Sequence, residues 1–123
     1  MKISTRKVDG VMVVDISGRI VLGEGGSLRD AINAVLFGGE KKLLLNLAEV
    51  DYIDSTGLGE LINTHTTVLK HDGHIQFVKL TNKVRDLLQI TKLYTVLDIK
   101  DDEAEAIASL NSTIESAEAV VAV

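Results

Sequence analysis

Leu43-Leu44-Leu45-Asn46-Leu47, followed shortly by Val50-Asp51-Tyr52-Ile53-Asp54-Ser55-Thr56-Gly57-Leu58-Gly59, is the stretch whose reading decides the fold. The leucine run lacks polar alternation, so the spacing predicts a strand, Lys42 to Leu47, buried on both faces. From residue 58 the period changes. Positions 58, 61, 62, 65, 68 and 69 form a stripe at helical spacing that takes in His65, which predicts a helix from about Thr56 to Lys70 ending near Asp72-Gly73. Between strand and helix stand a serine and a threonine beside two glycines. The first N–H groups of a helix have no intrahelical acceptor, so a hydroxyl here is offered outward and a phosphate would be tolerated. Ser55 is therefore the leading functional candidate.

Working outward, Ile3 to Lys7 and Val11 to Ser17 are two β-rich runs separated by Asp9-Gly10, a strong short hairpin signal. Gly23-Glu24-Gly25-Gly26 breaks the chain. Ser27 with Asp30 three residues on resembles a capping box, and Leu28, Ala31, Ile32, Val35 and Leu36 share the stripe of a helix stopped by Gly38-Gly39. Past the central helix, Ile75 to Lys79 reads as a strand. Thr81 caps a short helix with Val84, Leu87 and Leu88 inward, and Val96 to Ile99 is a last short strand. Asp101 and Asp102 open a final helix through Ile107 and Leu110, where acidic residues complement the helix dipole. The order β-β-α-β-α-β-α-β-α predicts an α/β layer fold: a mixed sheet of about five strands with an N-terminal antiparallel hairpin and about four helices. Residues 1–112 are assigned to one domain and 113–123 to a tail that prolongs the last helix or frays.

The 123 residues, 46% hydrophobic and 25% charged, fit one ordinary globular core. A net charge of −5 and only four aromatic residues argue against nucleic acid. Zero cysteines remove disulfides, thiolate catalysis and the common zinc sites. There is no apolar run of about 18 residues to span a membrane and no apolar signal core at the N-terminus, so the chain is expected in the cytoplasm.

Several motifs have plainer readings. Asp54-Ser55-Thr56-Gly57 could be only a polar turn and helix cap, yet two glycines in one helical turn lower helix propensity by roughly 1 kcal/mol each. Small residues there make sense if another chain approaches the backbone closely. The Gly23–Ser27 turn lacks the Gly-Lys-Ser/Thr ending of a phosphate loop. His71 and His74 have no clear third metal ligand, and His65 lies about 15 Å down the helix from Ser55, too far for a Ser-His-Asp hydrolase. The acids Asp98, Asp101, Asp102, Glu103 and Glu105 lack calcium-loop spacing. Lys79, Lys83, Arg85 and Lys92 read as a solvated face.

The chain resembles the anti-sigma factor antagonists built on the STAS domain. The resemblance rests on Asp54-Ser55-Thr56-Gly57-Leu58-Gly59 after the strand Leu43–Leu47, on Ile16-Ser17-Gly18-Arg19 and on Gly73 after the second helix. It implies a STAS-type fold and a binding module, not an enzyme, with no cofactor and no metal. The implied partner is an anti-sigma factor that is itself a serine kinase. It is bound while Ser55 is unmodified and released once Ser55 (alternatively Thr56) is phosphorylated, and a metal-dependent serine phosphatase reverses the modification. Asp54, Ser55, Thr56, Gly57, Leu58 and Glu60 are the implied contact residues, with Arg19, Glu24 and Ser27 beside them. Where family members commonly carry an acid after the glycine matching Gly18, this chain has Arg19. Other STAS domains are scaffold subunits of signalling complexes or companions of transport systems, the runner-up role. A nucleotide or small-molecule site has only the glycine turn in its favour. A monomer or weak dimer is expected.

Overall fold

The computed structural model describes residues 1–122 other than Leu22 and Glu24, with side chains through Ser112. Its elements are β1 (Lys2–Val8), β2 (Val11–Ile20), α1 (Gly25–Phe37), β3 (Lys42–Ile53), α2 (Ser55–Lys70), β4 (His74–Val78), α3 (Asn82–Thr91), a 3₁₀ turn (Leu93–Thr95), β5 (Ile99–Lys100) and α4 (Glu103–Ala122). Among the described residues the sheet has five strands in the order β1-β2-β3-β4-β5, antiparallel between β1 and β2 and parallel from there on. The hairpin forms where Asp9-Gly10 predicts it. Val8 pairs with Val11, and Asp9 and Gly10 take φ of 50° and 81°, the left-handed pair of a tight turn between twisted strands.

The leucine run explains the layering. Leu43 and Leu45 face a core shared with Leu28 and Ile32 of α1, Leu58, Leu61 and Val68 of α2, and Val84 and Leu88 of α3. Leu44 points the other way and packs with Val11, Val13 and Val78 under Ala106, Ile107 and Leu110 of α4. Helices therefore cover both faces of the sheet, and β3 has no polar face to show over that stretch.

Four details depart from the sequence reading. β3 continues past Leu47 to Ile53. Asp15 pairs with Asn46 but Arg19 with Tyr52, so β3 bulges by two residues and its buried positions Leu47, Val50 and Ile53 recur every third residue, which hides the strand period. The last strand is Ile99–Lys100, not Val96–Ile99. Lys92 takes a left-handed conformation (φ 61°) into the 3₁₀ turn, and pairing starts only where Phe77 N donates to Asp98 O at 2.9 Å. Ser27 does not cap α1, because the glycines enter the helix and place it at the third position. Thr81 is the N-cap residue of α3, its carbonyl accepting from Arg85 N at 2.9 Å, but its side chain makes no cap bond and the hydroxyl instead donates to Val50 O at 2.8 Å, tying α3 to β3. Over 113–122 the backbone prolongs α4.

Arg6 of β1 clamps the start of α4 to the sheet. Its Nε donates to Asp15 Oδ2 at 2.7 Å and its Nη1 to Glu103 Oε2 at 3.1 Å, while Asn46 Nδ2 donates to Asp15 Oδ1 at 2.8 Å. Hydrogen bonds from Arg6 chiefly hold both carboxyl groups below their ordinary range. A depressed native pKa adds stability that is present above the unfolded value near pH 4 and lost as pH falls through the native one. These side chains are partly exposed, so the contribution is small. Replacing Arg6 by Gln lowers the unfolding free energy by about 1 kcal/mol at neutral pH, and the difference shrinks as pH falls below the unfolded carboxyl value near 4. Denaturant titration of both chains at neutral and acid pH checks this; an undiminished difference in acid contradicts it.

Candidate functional site

The site is assembled where β3 hands over to α2. Asp54 is extended (φ −102°, ψ 178°) and serves as the N-cap of α2. Its carboxylate Oδ1 accepts from Gly57 N at 2.7 Å, while its carbonyl accepts the first helical bond, from Leu58 N at 2.9 Å. A capping oxygen on a first-turn N–H is what makes aspartate a preferred residue here. Ser55 and Thr56 follow as the first two helical residues, and both are exposed. Neither of their N–H groups has an acceptor within the helix. Ser55 thus stands at the positive end of the helix dipole, with a carboxylate next to it in sequence.

The two glycines do different things. An ideal Cβ on Gly57 would lie 1.8 Å from Ile20 O and 2.6 Å from Ile20 C, so α2 is pressed against the end of β2 as only glycine permits. Asp54 N donates to the same carbonyl at 3.4 Å. The close approach expected of a visiting chain is, at Gly57, made by the protein's own backbone. Gly59 is exposed, with nothing within 4 Å of its Cβ position. It leaves the helix surface beside Ser55 bare.

The other sequence candidates separate. Leu58 is 3% exposed and belongs to the core, as does Leu61. Glu60 is engaged: Arg29 Nη2 donates to its Oε1 at 2.9 Å and Oε2 at 3.1 Å, joining α1 to α2. Arg19 is exposed near the end of β2, in register with Tyr52. Ser27 is exposed on the side of α1 that borders β1, beside Ala31 and Met12. Glu24 lies outside the described residues. Two participants escaped the sequence reading. Arg29 is the α1 residue that reaches α2, and Lys83 of α3 holds its Nζ 5.7 Å from the ring centroid of Tyr52, 43% exposed. A cation beside the aromatic that precedes Ile53-Asp54 is a tertiary arrangement without a local sequence signal.

Among the described residues no group of three or more His, Asp or Glu side chains is arranged to hold a metal ion, and no helix is long and apolar enough to cross a membrane. His71 Nδ1 lies 2.8 Å from Thr67 O at the end of α2, a helix-end contact.

The glycine pair yields opposite expectations. Gly57→Ala destabilises by at least about 3 kcal/mol, because backbone atoms cannot move aside as a flexible side chain would. Gly59→Ala stabilises by about 0.5–1 kcal/mol, the ordinary gain at an open helix position. Thermal and denaturant unfolding of the two variants distinguishes them, and similar effects at both positions contradict the assignment.

Comparison with known proteins agrees with the fold. The anti-sigma-B factor antagonist of Staphylococcus aureus is 23% identical over 101 residues, covering 82% of this chain and 94% of that protein. The crystal structure of an anti-sigma factor antagonist from Mycobacterium paratuberculosis superposes with a TM-score of 0.78 at 25% identity, covering 89% of this chain and 93% of the other. The Bacillus cell fate determinant SpoIIAA in its phosphorylated form superposes with a TM-score of 0.65 at 18% identity, covering 88% and 98%. The family model described as the STAS domain matches residues 2–106, and the chain belongs to that family.

Proposed function

We propose that the protein is an anti-sigma factor antagonist whose binding is switched by phosphorylation of Ser55. In the unmodified state it binds an anti-sigma factor that is also a serine kinase, and so frees a sigma factor. The kinase modifies Ser55 and dissociates, and a metal-dependent serine phosphatase resets the switch. The protein itself catalyses nothing in this scheme and works in the cytoplasm, where its partners are. The observation that carries the reading is the exposed Ser55 hydroxyl at the first position of α2, beside the bare surface at Gly59 and on a backbone held in place at Gly57.

The energetics favour a switch of affinity over a change of fold. A phosphoserine adds about −1.5 to −2 charges at neutral pH. At an exposed helix N-terminus this charge meets free N–H groups and a favourable dipole, a gain of up to ~1 kcal/mol that offsets repulsion from Asp54. SpoIIAA keeps a related fold in its phosphorylated form, as this balance requires. In a closed interface the same phosphate loses water and faces Asp54 and whatever carboxylates the partner brings. An uncompensated charge there costs about 2–5 kcal/mol, which weakens binding by roughly 30-fold to several thousand-fold. Arg19 is exposed near the end of β2, so the partner is expected to present a group that accommodates a positive charge there.

Incubation with the cognate kinase and ATP, followed by mass spectrometry, is expected to place one phosphate on Ser55, none on the Ser55→Ala variant, and an unchanged phosphate on Thr56→Ala. The phosphorylated chain and Ser55→Asp are expected to melt within a few degrees of the unmodified protein and to bind the partner at least about 30-fold less tightly. A phosphate mapped to another residue, or full affinity in a folded Ser55→Asp variant, contradicts the proposal.

A further inference from the structure

At the β5 edge of the sheet, α3, the 3₁₀ turn and residues 97–101 enclose a cleft of about 720 Å³. Small-molecule sites commonly fall at about 300–1,000 Å³. The lining is mixed: Leu88 and Leu97 are buried and Leu80 and Ile99 half-buried at its base, Tyr94 remains 53% exposed at the rim, and polar side chains including Gln89 complete the wall. An exposed aromatic at the rim of an apolar hollow is a feature of interaction sites more than of plain surface. Three charged side chains line the same cleft, Arg85 from α3, Asp98 just before β5 and Asp101 just after it. Among the described residues Arg85 and Asp101 form no ion pair, with each other or with any third group, whereas Asp98 lies 3.6 Å from Lys100. An unpaired cation and an unpaired anion in one cleft with leucines at its base complement a ligand that carries both charges and an apolar body.

We propose that this cleft binds a small zwitterion with an aliphatic or aromatic side chain, the chemical class of the apolar amino acids. Its carboxylate meets the Arg85 guanidinium, whose planar fork suits a carboxylate, its ammonium meets Asp101, and its side chain covers Leu88 and Leu97 beside Tyr94. The occupant follows from charge complementarity, since an uncharged apolar ligand would leave both charges unused. The site is separate from Ser55, but α3 touches both regions, through Lys83 on Tyr52 and through Arg85 in the cleft. Both charges are solvent-exposed, so each adds little and binding is expected in the millimolar range.

The test is a chemical-shift titration of the full ¹⁵N-labelled chain with L-phenylalanine, using 3-phenylpropionate and phenethylamine as probes that lack the ammonium and the carboxylate. Saturable shifts confined to residues 80–101, with a dissociation constant of about 2 mM and single-charge probes about five-fold weaker, support the proposal. Arg85→Gln should weaken L-phenylalanine about five-fold and leave phenethylamine unchanged, and Asp101→Asn should weaken L-phenylalanine but not 3-phenylpropionate. Absence of saturable shifts at about 20 mM, ten-fold above that constant, overturns it. So does equal binding of the single-charge probes, or a folded Arg85→Gln chain that binds L-phenylalanine as before.

Discussion

The carbonyl of Ile20 occupies the space that a side chain on residue 57 would need. This backbone-to-backbone contact joins the last residue of β2 to the first turn of α2, and the rest of the candidate site is arranged around it. It fixes where α2 begins, which leaves Asp54 to cap the helix and Ser55 and Thr56 to stand outside. Any side chain at position 57 would push the helix off the sheet and move Ser55 with it. In the proposed switch, rigidity under the hydroxyl would let a phosphate on Ser55 alter the surface and leave the interior as it was.

The support beneath that contact is a sheet covered on both sides. Alternate residues of Leu43-Leu44-Leu45 enter different cores, one under three helices and one under α4. Such a strand has little freedom to slip, because a shift by one residue would exchange two differently shaped apolar surfaces. β3 then bulges twice before reaching Asp54. The bulges bring Val50 and Ile53 back to the helix-covered core and place Tyr52 in solvent beside Lys83. Thr81, bonded to the carbonyl of Val50, fastens α3 to this irregular stretch. The strand leading into the site is thus braced from both neighbours.

Much of this was legible in the sequence, for identifiable reasons. Asp9-Gly10 tolerates a left-handed pair, so it announces the hairpin by local chemistry alone, and the stripe through Leu58, Leu61 and Val68 announces α2 in the same way. The order of elements and the exposed place of Ser55 follow from these local signals. What the sequence concealed depends on partners far along the chain. The bulges of β3 break its period and disguise its upper half as a loop. The stretch Val96 to Ile99 has strand composition, but the left-handed turn at Lys92 and the burial of Leu97 delay pairing to Ile99. Gly57 reads as room for a visitor until Ile20 is seen against it. Arg29 with Glu60 and Lys83 with Tyr52 join residues whose proximity only the assembled helices create. Leu58 looked like a contact residue from its position in the motif, and its side chain is core.

The central physical claim is that a phosphate on Ser55 changes what the surface of α2 can touch and leaves the packing of Gly57 on Ile20 undisturbed. Amide hydrogen exchange on the unmodified and the Ser55-phosphorylated chain tests this most directly. Protection of β2, β3 and the body of α2 should be the same in both, with differences limited to the first turn of α2 and its immediate neighbours. Loss of protection through β2 and the length of α2 on phosphorylation would mean that the modification unseats the helix, and would contradict a switch confined to the surface.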